Sequence, residues 1–334
     1  DAAMQTLCDD LGVSVGQKNG PWLDSMEFRP IPDPVQRQQA LQAGDVNMIL
    51  NTRPGVTAAS RGDFQVVTDY TSEQNFVQLQ TAQAPFDNEH ARLALAYATD
   101  RVALVEQLGS GEDIPVDTSP FEEDDVWGGI APEDTNYPLY DPAKAAEELE
   151  QYLQDMADKG EKVDKLSFTL MGVASLDDLE LAQALSEMWA KARIEAKIQS
   201  IKKEALVVQQ VSGDFQAVIS RNYSFPDPDA EYIFFHGDFA TGDIALNFTR
   251  WHSTETDAAL DLGRESSDPD FRKQTYDSFV KARNAAAPDI WLFNTPWSMI
   301  AEDDVRGLNA FRNLGIAGYV GKPWVQGLWV APAS

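Results

Sequence analysis

Apolar residues recur with a helical period over residues 88–108, and polar capping residues bound this stretch. Asp87 and Asn88 are suitable N-caps, and Gly109 and Gly111 follow the last apolar turn. Two adjoining faces are apolar, so the apolar surface covers most of the circumference. The pattern predicts one helix over 88–108 that packs against a sheet in a large core.

Strands and helices alternate ahead of that helix. Residues 1–23 give only weak signals, and Pro-Asp and Gly turns separate the elements that follow. The predicted elements are a strand at 26–31, a helix at 34–43, a strand at 46–50 and two more strands at 64–67 and 75–80. The first three predict a strand-helix-strand unit with parallel strands.

The same alternation returns after residue 140. Residues 109–140 contain four prolines and an acidic run at 122–125, which predict a long surface loop. Asp141 and Pro142 then suit the N-cap and first position of a helix that ends near Gly160. Further on we predict strands at 165–172, 194–201, 215–220, 291–293 and 320–330, and helices at 176–193, 257–265 and 269–286.

Composition narrows the functional classes. The 334 residues are 43% hydrophobic, which is enough for a large globular core. The formal net charge of -28 would repel phosphate backbones and anionic membranes, so nucleic acid is not expected as a partner. The chain begins at Asp1 without a leader pattern and has no apolar run of membrane-spanning length, so we expect a soluble, mature or trimmed product.

Common signatures of enzymes and metal sites are absent from the sequence. Cys8 is the only cysteine, and His90, His236 and His252 are scattered, so neither a metal nor another cofactor is expected. Nucleophile-elbow, phosphate-loop, dinucleotide and zinc-protease motifs do not occur, and no catalytic residue is assigned. A glycosidase with two distant carboxylates stays open, since it needs no local motif.

Candidate ligand contacts lie where predicted strands end. The strand at 215–220 runs into a polar, aromatic, proline-bearing loop, and the carboxyl ends of strands are where open α/β sheets most often bind ligands. A second candidate loop covers 172–175, and Trp251 and Tyr223 could stack on a ring or sugar. The candidate ligand-binding residues are Arg221, Asn222, Tyr223, Ser224, Phe225, Gly172, Ser175 and Trp251.

Separate motifs follow one another in a recognisable order. They are FRPIPD at 28–33, ALQAGD at 40–45, PFD at 85–87, RLALAYATDR at 92–101, YDPAKA at 140–145, MW at 188–189 ahead of Ile194, DPD at 227–229, NFTRW at 247–251 and APDIWL at 287–292. This series resembles the C-terminal half of the peptide/opine/nickel family, bacterial extracellular solute-binding protein family 5, of ABC-transporter substrate-binding proteins. Arg193 departs from the family pattern, which usually has Gly there.

The resemblance implies an α/β fold. It would be the C-terminal lobe of a type II periplasmic-binding-protein-like (Venus-flytrap) fold, with a mixed sheet flanked by helices and the N-terminal lobe largely absent. The implied domains are an irregular segment at 1–23, a solute-binding lobe at 24–300, and a return segment at 301–334 that would pair with the N-terminal lobe.

The resemblance also implies a function and a location. The chain would be the extracytoplasmic solute-binding component of an ABC importer, capturing a peptide-like or other small solute and delivering it to a membrane permease. It would act in the periplasm or at the cell surface, lipid-anchored in its full-length precursor, and self-association could replace the missing lobe. The alternatives are an orphaned lobe acting as an interaction module and a carbohydrate-active hydrolase, which turnover of substrate would reveal.

One departure from the family bears on the solute. Peptide-binding relatives commonly carry a Trp and an acidic residue ahead of the Pro-Asp-Pro step, and the acid pairs with a peptide's free amine. Arg221 and Ser224 fill these positions here. A cation and a hydroxyl cannot replace a carboxylate, so a free peptide N-terminus is disfavoured, and Arg221 suits a carboxylate, a phosphate or an aromatic face.

Overall fold

The computed structural model describes residues 23–71, 73–121, 129–223, 225, 227–308 and 328–331. Their contacts form two compact units. The smaller unit comprises the described residues of Asp1–Glu73, Gly109–Ile114 and Thr295–Ser334, and the larger unit those of Gln74–Leu108 and Pro115–Asn294. These boundaries differ from the domains that the family resemblance implies, which are 1–23, 24–300 and 301–334. That division stays a prediction.

Strands and helices are numbered in chain order. The strands are β1 (Met48–Asn51), β2 (Gln65–Asp69), β3 (Gln74–Leu79), β4 (Leu166–Val173), β5 (Ile194–Ile201), β6 (Ala217–Asn222), β7 (Asp289–Asn294), β8 (Trp297–Ala301), β9 (Val305–Arg306) and β10 (Trp329–Val330). The α-helices are α1 (Pro34–Gln42), α2 (Pro54–Ser60), α3 (Glu89–Tyr97), α4 (Arg101–Leu108), α5 (Pro142–Asp158), α6 (Leu176–Ala190), α7 (Lys203–Ser212), α8 (Tyr232–Phe235), α9 (Thr254–Glu265) and α10 (Pro269–Ala286). Short 3-10 helices cover Pro132–Asp134, Pro228–Glu231 and Gly237–Phe239.

The smaller unit is built on an antiparallel sheet in the order β1-β8-β2. Leu41 of α1 and Val56 of α2 pack with Ile49 and Ile300 on the sheet. Segment 109–114 belongs to this unit, and Arg61 Nε donates to Glu112 Oε1 at 2.8 Å. A second strand pair joins β9 to β10.

The predicted parallel strand-helix-strand unit is wrong. Residues 26–31 form no strand, and β1 pairs with β8 in antiparallel fashion. Pro30 and Pro32 have no backbone N–H to give to a ladder, and Phe28 is largely exposed. The apolar residues of 26–31 were therefore not sufficient to make a strand at this place.

The larger unit contains a mixed sheet in the order β5-β4-β6-β3-β7. Strand β4 is parallel to β5 and β6, with α6 and α7 as the crossover helices. Strand β3 runs antiparallel to both β6 and β7. The carboxyl ends of β4, β5, β6 and β7 therefore meet the start of β3 at one edge, which we call the strand-end edge.

One face of this sheet carries the main core. Leu95, Leu104, Leu149 and Trp189 from the helices are fully buried against alternate strand residues such as Leu170. Burial of side chains of this size contributes about 1.5–3 kcal/mol each before entropic costs. The prediction that the apolar segment 88–108 packs in a large core is confirmed.

That segment forms two helices, however, and the prediction of one continuous helix is wrong. Helix α3 ends at Tyr97 and α4 begins at Arg101. Asp100 Oδ1 accepts a hydrogen bond from Ala103 N at 3.0 Å, so Asp100 caps α4 instead of continuing α3. Thr99 Oγ1 also donates to Leu95 O at 2.7 Å, which satisfies a carbonyl in the last turn of α3.

Several other predicted elements are confirmed. Helix α5 begins after Asp141, α10 covers the predicted 269–286, and β5 covers the predicted 194–201. Helix α6 stops before Arg193, which has a φ of 62°. Glycine adopts that backbone conformation at little cost, which explains the usual Gly of the family at this position.

Other predictions differ from the structure or fall outside it. Helices α2 and α7 and strand β8 were not predicted. The acidic run at 122–125, residue 224 and most of 320–330 lie outside the described residues. In the part of the chain that the structure describes, no helix is both long and apolar enough to cross a membrane.

Candidate functional site

Arg221 lies at the strand-end edge, on β6. Ala217 and Ile219, four and two residues earlier, pack in the main core, so alternation directs Arg221 to the same face of the sheet. Arg221 Nη2 donates to Asp178 Oδ1 at 2.9 Å. The side chain of Arg221 is 26% exposed and that of Asp178 is 9% exposed. The predicted anion-binding cation is therefore ion-paired with a carboxylate.

Asp178 is held in place by the end of β4 and the start of α6. Ser175 caps α6, with its Oγ accepting from Asp178 N at 3.2 Å. Asp178 Oδ2 accepts from Val173 N at 2.9 Å. One carboxylate thus joins the last residue of β4, the first turn of α6 and Arg221 on β6.

Gly172 faces Asp178 from within β4. A Cβ built on Gly172 would lie 3.5 Å from Asp178 Cβ and from Ile219 Cδ1, an ordinary contact distance. Gly172 and Val173 are strand residues, so the predicted loop over 172–175 is shorter than expected. The structure brings Gly172, Ser175 and Arg221 together.

Asn222 belongs to a buried hydrogen-bond network. It is the last residue of β6, whereas the sequence placed both Arg221 and Asn222 in the following loop. Asn222 Nδ2 lies 2.8 Å from Gln74 Oε1, 3.0 Å from Pro120 O and 3.1 Å from Glu231 Oε1. A ligand that bonded this nitrogen would have to displace one of these acceptors, because an amide nitrogen has two hydrogens.

The residues after β6 present aromatic surface. Tyr223 is 40% exposed and Phe225 is half-buried, while Ser224 lies outside the described residues. The 3-10 turn that follows is anchored by Asp227, which accepts from Arg272 Nη1 at 3.0 Å. Burial favours the protonated form of Asp227, but the hydrogen bonds from Arg272 outweigh it and lower the pKa of this carboxyl.

Trp251 lies at the opposite edge of the sheet from Arg221. Its backbone N–H donates to Thr249 Oγ1 at 3.3 Å. Thr249 O accepts from Thr81 N at 2.9 Å, just past the end of β3. The Trp251 ring is 5.6 Å from the guanidinium carbon of Arg283. At about 3.3 Å per residue, β6 separates the two edges by roughly 17 Å. The structure does not bring Trp251 together with the other candidates.

Asp117 is a buried carboxyl near the same strand-end edge. Its N–H donates to Leu292 O at 3.1 Å on β7, and its Oδ1 accepts from Thr118 N at 3.1 Å. Arg101 Nη1 donates to the backbone carbonyl of Asp117 at 2.9 Å. Burial raises the pKa of Asp117 to about 7, although nearby N–H groups, Arg101 and the Gln74 amide oppose the rise.

Arg221 and Ser175 were named as candidates from the sequence, but not Asp178, Gln74 or Asp117, which the structure places at or near the same strand ends. A signal for Asp178 exists in Ser175 followed three residues later by an acid, which is typical of a helix start. Its pairing with Arg221 requires knowing that β4 and β6 are neighbours. Among the residues that the structure describes, no group of three or more His, Cys, Asp or Glu is arranged to hold a metal ion.

The fold matches that of solved periplasmic binding proteins. AgaA from A. tumefaciens R10, solved in complex with agropinic acid, aligns with a TM-score of 0.76 and 20% identity over 95% of this chain and 63% of AgaA. DppA from Helicobacter pylori, solved in complex with the peptide STSA, aligns with a TM-score of 0.75 and 18% identity over 90% of this chain and 56% of DppA. Over the aligned residues the fold is that of the type II periplasmic binding proteins, as the family resemblance implies.

Sequence comparison identifies one family among the periplasmic binding proteins. The model of the family "Bacterial extracellular solute-binding proteins, family 5 Middle" matches residues 16–243, and the chain belongs to this family. The oligopeptide-binding protein AppA of Bacillus subtilis is 27% identical over 303 residues, which cover 86% of this chain and 53% of AppA. The glutathione-binding protein GsiB of Salmonella choleraesuis is 29% identical over 143 residues, 40% of this chain and 26% of GsiB. The chain spans about half the length of AppA.

Proposed function

We propose that this chain is the solute-binding component of an ABC importer and that the strand-end edge forms one wall of its solute site. The observation that carries the proposal is the convergence of Arg221, Asp178 and Ser175 where β4 and β6 end, in a chain of family 5. Exposed Tyr223 adds aromatic surface to the same strand end. Polar groups beside an aromatic ring suit a small solute with both polar and apolar parts.

The solute is a peptide-like or other small molecule, and the partner that receives it is an ABC permease in the membrane. Oligopeptide-binding and glutathione-binding relatives favour the peptide-like class. The Arg at 221 and the Ser at 224 argue against capture of a free peptide amine.

The role is noncatalytic, because family 5 consists of transport proteins and the solute is passed on unchanged. The chain acts outside the cytoplasm, anchored by a lipid in its full-length precursor. Self-association would supply a second wall for the site if this chain works without further residues.

A thermal-unfolding screen tests the proposal. The probes are oligopeptides, oligosaccharides, opine-like acids and nickel chelates, each recovered afterwards and checked for chemical change. A probe at about a hundred times its dissociation constant should add roughly 2.7 kcal/mol to the free energy of unfolding. We expect one class to raise the melting temperature and to be recovered intact.

Matched variants locate the binding. Arg221→Gln should weaken binding of the selected probe. Arg193→Gln should leave that binding unchanged, since Arg193 is an exposed arginine paired with Glu150 before β5. The proposed site is wrong if no class of probe stabilises the chain. It is also wrong if the stabilising probe binds Arg221→Gln and Arg193→Gln with equal affinity.

A further inference from the structure

The Arg221–Asp178 pair fixes the charge that a solute meets at the strand-end edge. The two side chains join at 2.9 Å, and both are mostly shielded from water. We propose that Asp178 is a specificity-determining residue that neutralises Arg221 and so selects solutes whose contacting group is uncharged, such as a hydroxyl or an amide. This inference rests on the proposed function, since it describes the solute of that same site.

Asp178 cannot readily leave Arg221. Its Oδ2 is bonded to Val173 N, and its own N–H is bonded to the capping Ser175. A carboxylate in the first turn of α6 is further stabilised by the helix dipole. The carboxylate is therefore preorganised beside Arg221 and does not depend on a solute to hold it there.

An anionic solute group would meet an unfavourable field at this place. A carboxylate that approached Arg221 would also approach Asp178, and the two negative charges would repel each other. The net charge of -28 adds a long-range repulsion of anions. Arg221, expected from sequence alone to suit a carboxylate, a phosphate or an aromatic face, is thereby converted into part of a neutral polar surface.

An uncharged group avoids this repulsion. A hydroxyl or amide can donate to a carboxylate and accept from a guanidinium, so it can hydrogen-bond to either member of the pair while the pair stays intact. Tyr223, two residues after Arg221, offers an exposed ring for a sugar face or a side chain. Oligosaccharide hydroxyls and the internal amides of a peptide both have this chemistry.

Acetate tests the charge argument without knowledge of the solute. Sodium acetate is titrated at constant ionic strength into the wild-type chain, Asp178→Asn, and Asp178→Asn combined with Arg221→Gln, while the melting temperature and the NMR signal of Arg221 Nε–H are followed. Asparagine keeps an acceptor for Val173 N but removes the charge. We expect saturable acetate binding in Asp178→Asn that is at least about tenfold tighter than in the wild type, and its loss in the double variant.

Glu187→Gln is the matched control. Glu187 lies near the other end of α6 and is exposed, so its variant removes the same charge from the same helix away from Arg221. Acetate binding in this variant should equal that of the wild type. Wild-type binding as tight as that of Asp178→Asn, or a folded Asp178→Asn with no gain, would overturn the inference.

Matched neutral and anionic probes supply a second measurement that needs no variant. The pairs are a neutral disaccharide with its uronic acid, and an N-acetylated tripeptide amide with the same peptide as a free carboxylate. We expect the wild type to prefer the neutral member of whichever pair binds, and that pair identifies the source of the neutral group. An equal or stronger anionic member overturns the inference and leaves the proposed function standing. If neither pair binds, the result counts against the proposed function. The acetate titration then decides the inference alone.

Discussion

Two buried carboxylates of the larger unit differ in how their charge is compensated. Asp289 is 2.7 Å from Arg283 Nε, in an ion pair with almost no exposure on either side. Asp117 accepts from the adjacent Thr118 N, while Arg101 bonds to its backbone carbonyl and not to its carboxylate. Burial raises the pKa of both carboxyls, although Arg283 opposes the rise at Asp289, and it raises that of Asp117 to about 7.

Asp117 should make the free energy of unfolding depend on pH. Its pKa rises from an ordinary value of 3.8 to about 7, so between these values the folded chain holds a proton that the unfolded chain releases. Stability from this group is complete below pH about 4 and falls as the pH rises to about 7, by up to roughly 4 kcal/mol. Asp117→Asn removes this titration. We therefore expect the free energy of unfolding of the variant, relative to that of the wild type, to be higher at pH 8 than at pH 5.

Urea unfolding of both chains at several pH values checks this expectation. Asp243→Asn is the control, because Asp243 is exposed in the same unit and the substitution changes the net charge equally. Parallel pH curves for wild type and Asp117→Asn would show that Asp117 does not titrate in this range.

At the scale of the element, α5 depends on its cap. Asp141 Oδ1 accepts from Ala143 N at 3.0 Å and from Lys144 N at 3.1 Å. Asp141→Ala removes this acceptor and a negative charge at the helix start, and we expect a loss of about 1 kcal/mol in the free energy of unfolding. Denaturant titration measures the loss. Asp141→Asn keeps an acceptor oxygen, so an equal loss in that variant would assign the effect to charge alone.

The predictability of an element followed the strength of its boundary signals. Asp141-Pro142 set the start of α5 correctly, because a capping side chain and a proline act within one turn, and Asp268-Pro269 begins α10 in the same way. The break between α3 and α4 was missed because apolar periodicity continues across Thr99. Asp100 could have continued that helix, and only its bond to Ala103 N shows that it is a cap.

The same distinction between local and distant information applies to the site. Arg221 was predicted because an apolar strand precedes it and aromatic and proline residues follow it. Asp178 is 43 residues away along the chain, and the pairing depends on the order of β4 and β6 in the sheet. Trp251 was grouped with Arg221 on chemical grounds, and sequence carries no signal that places it at the other edge.

At the scale of the whole molecule, net charge is the dominant electrostatic quantity. A charge of -28 makes the compact state repel itself, and added salt screens this repulsion. We expect the melting temperature to rise as sodium chloride increases from low to physiological and higher concentrations. Differential scanning fluorimetry measures it, with a non-ionic osmolyte at matched osmolality as the control. A flat or falling curve would show that self-repulsion is not limiting.

The position of β3 between β6 and β7 has a consequence for synthesis. This strand is buried along its whole length, yet its partners β6 and β7 come much later, with Asn75 and Phe293 in contact across 218 residues of sequence. A ribosome therefore releases β3 long before either neighbour exists. Until then its unpaired backbone is a template for wrong strand pairing, and closure of so long a loop is slow. During this interval β3 is exposed on the nascent chain. A chaperone that shields it until β6 and β7 are made would raise the yield of folded protein.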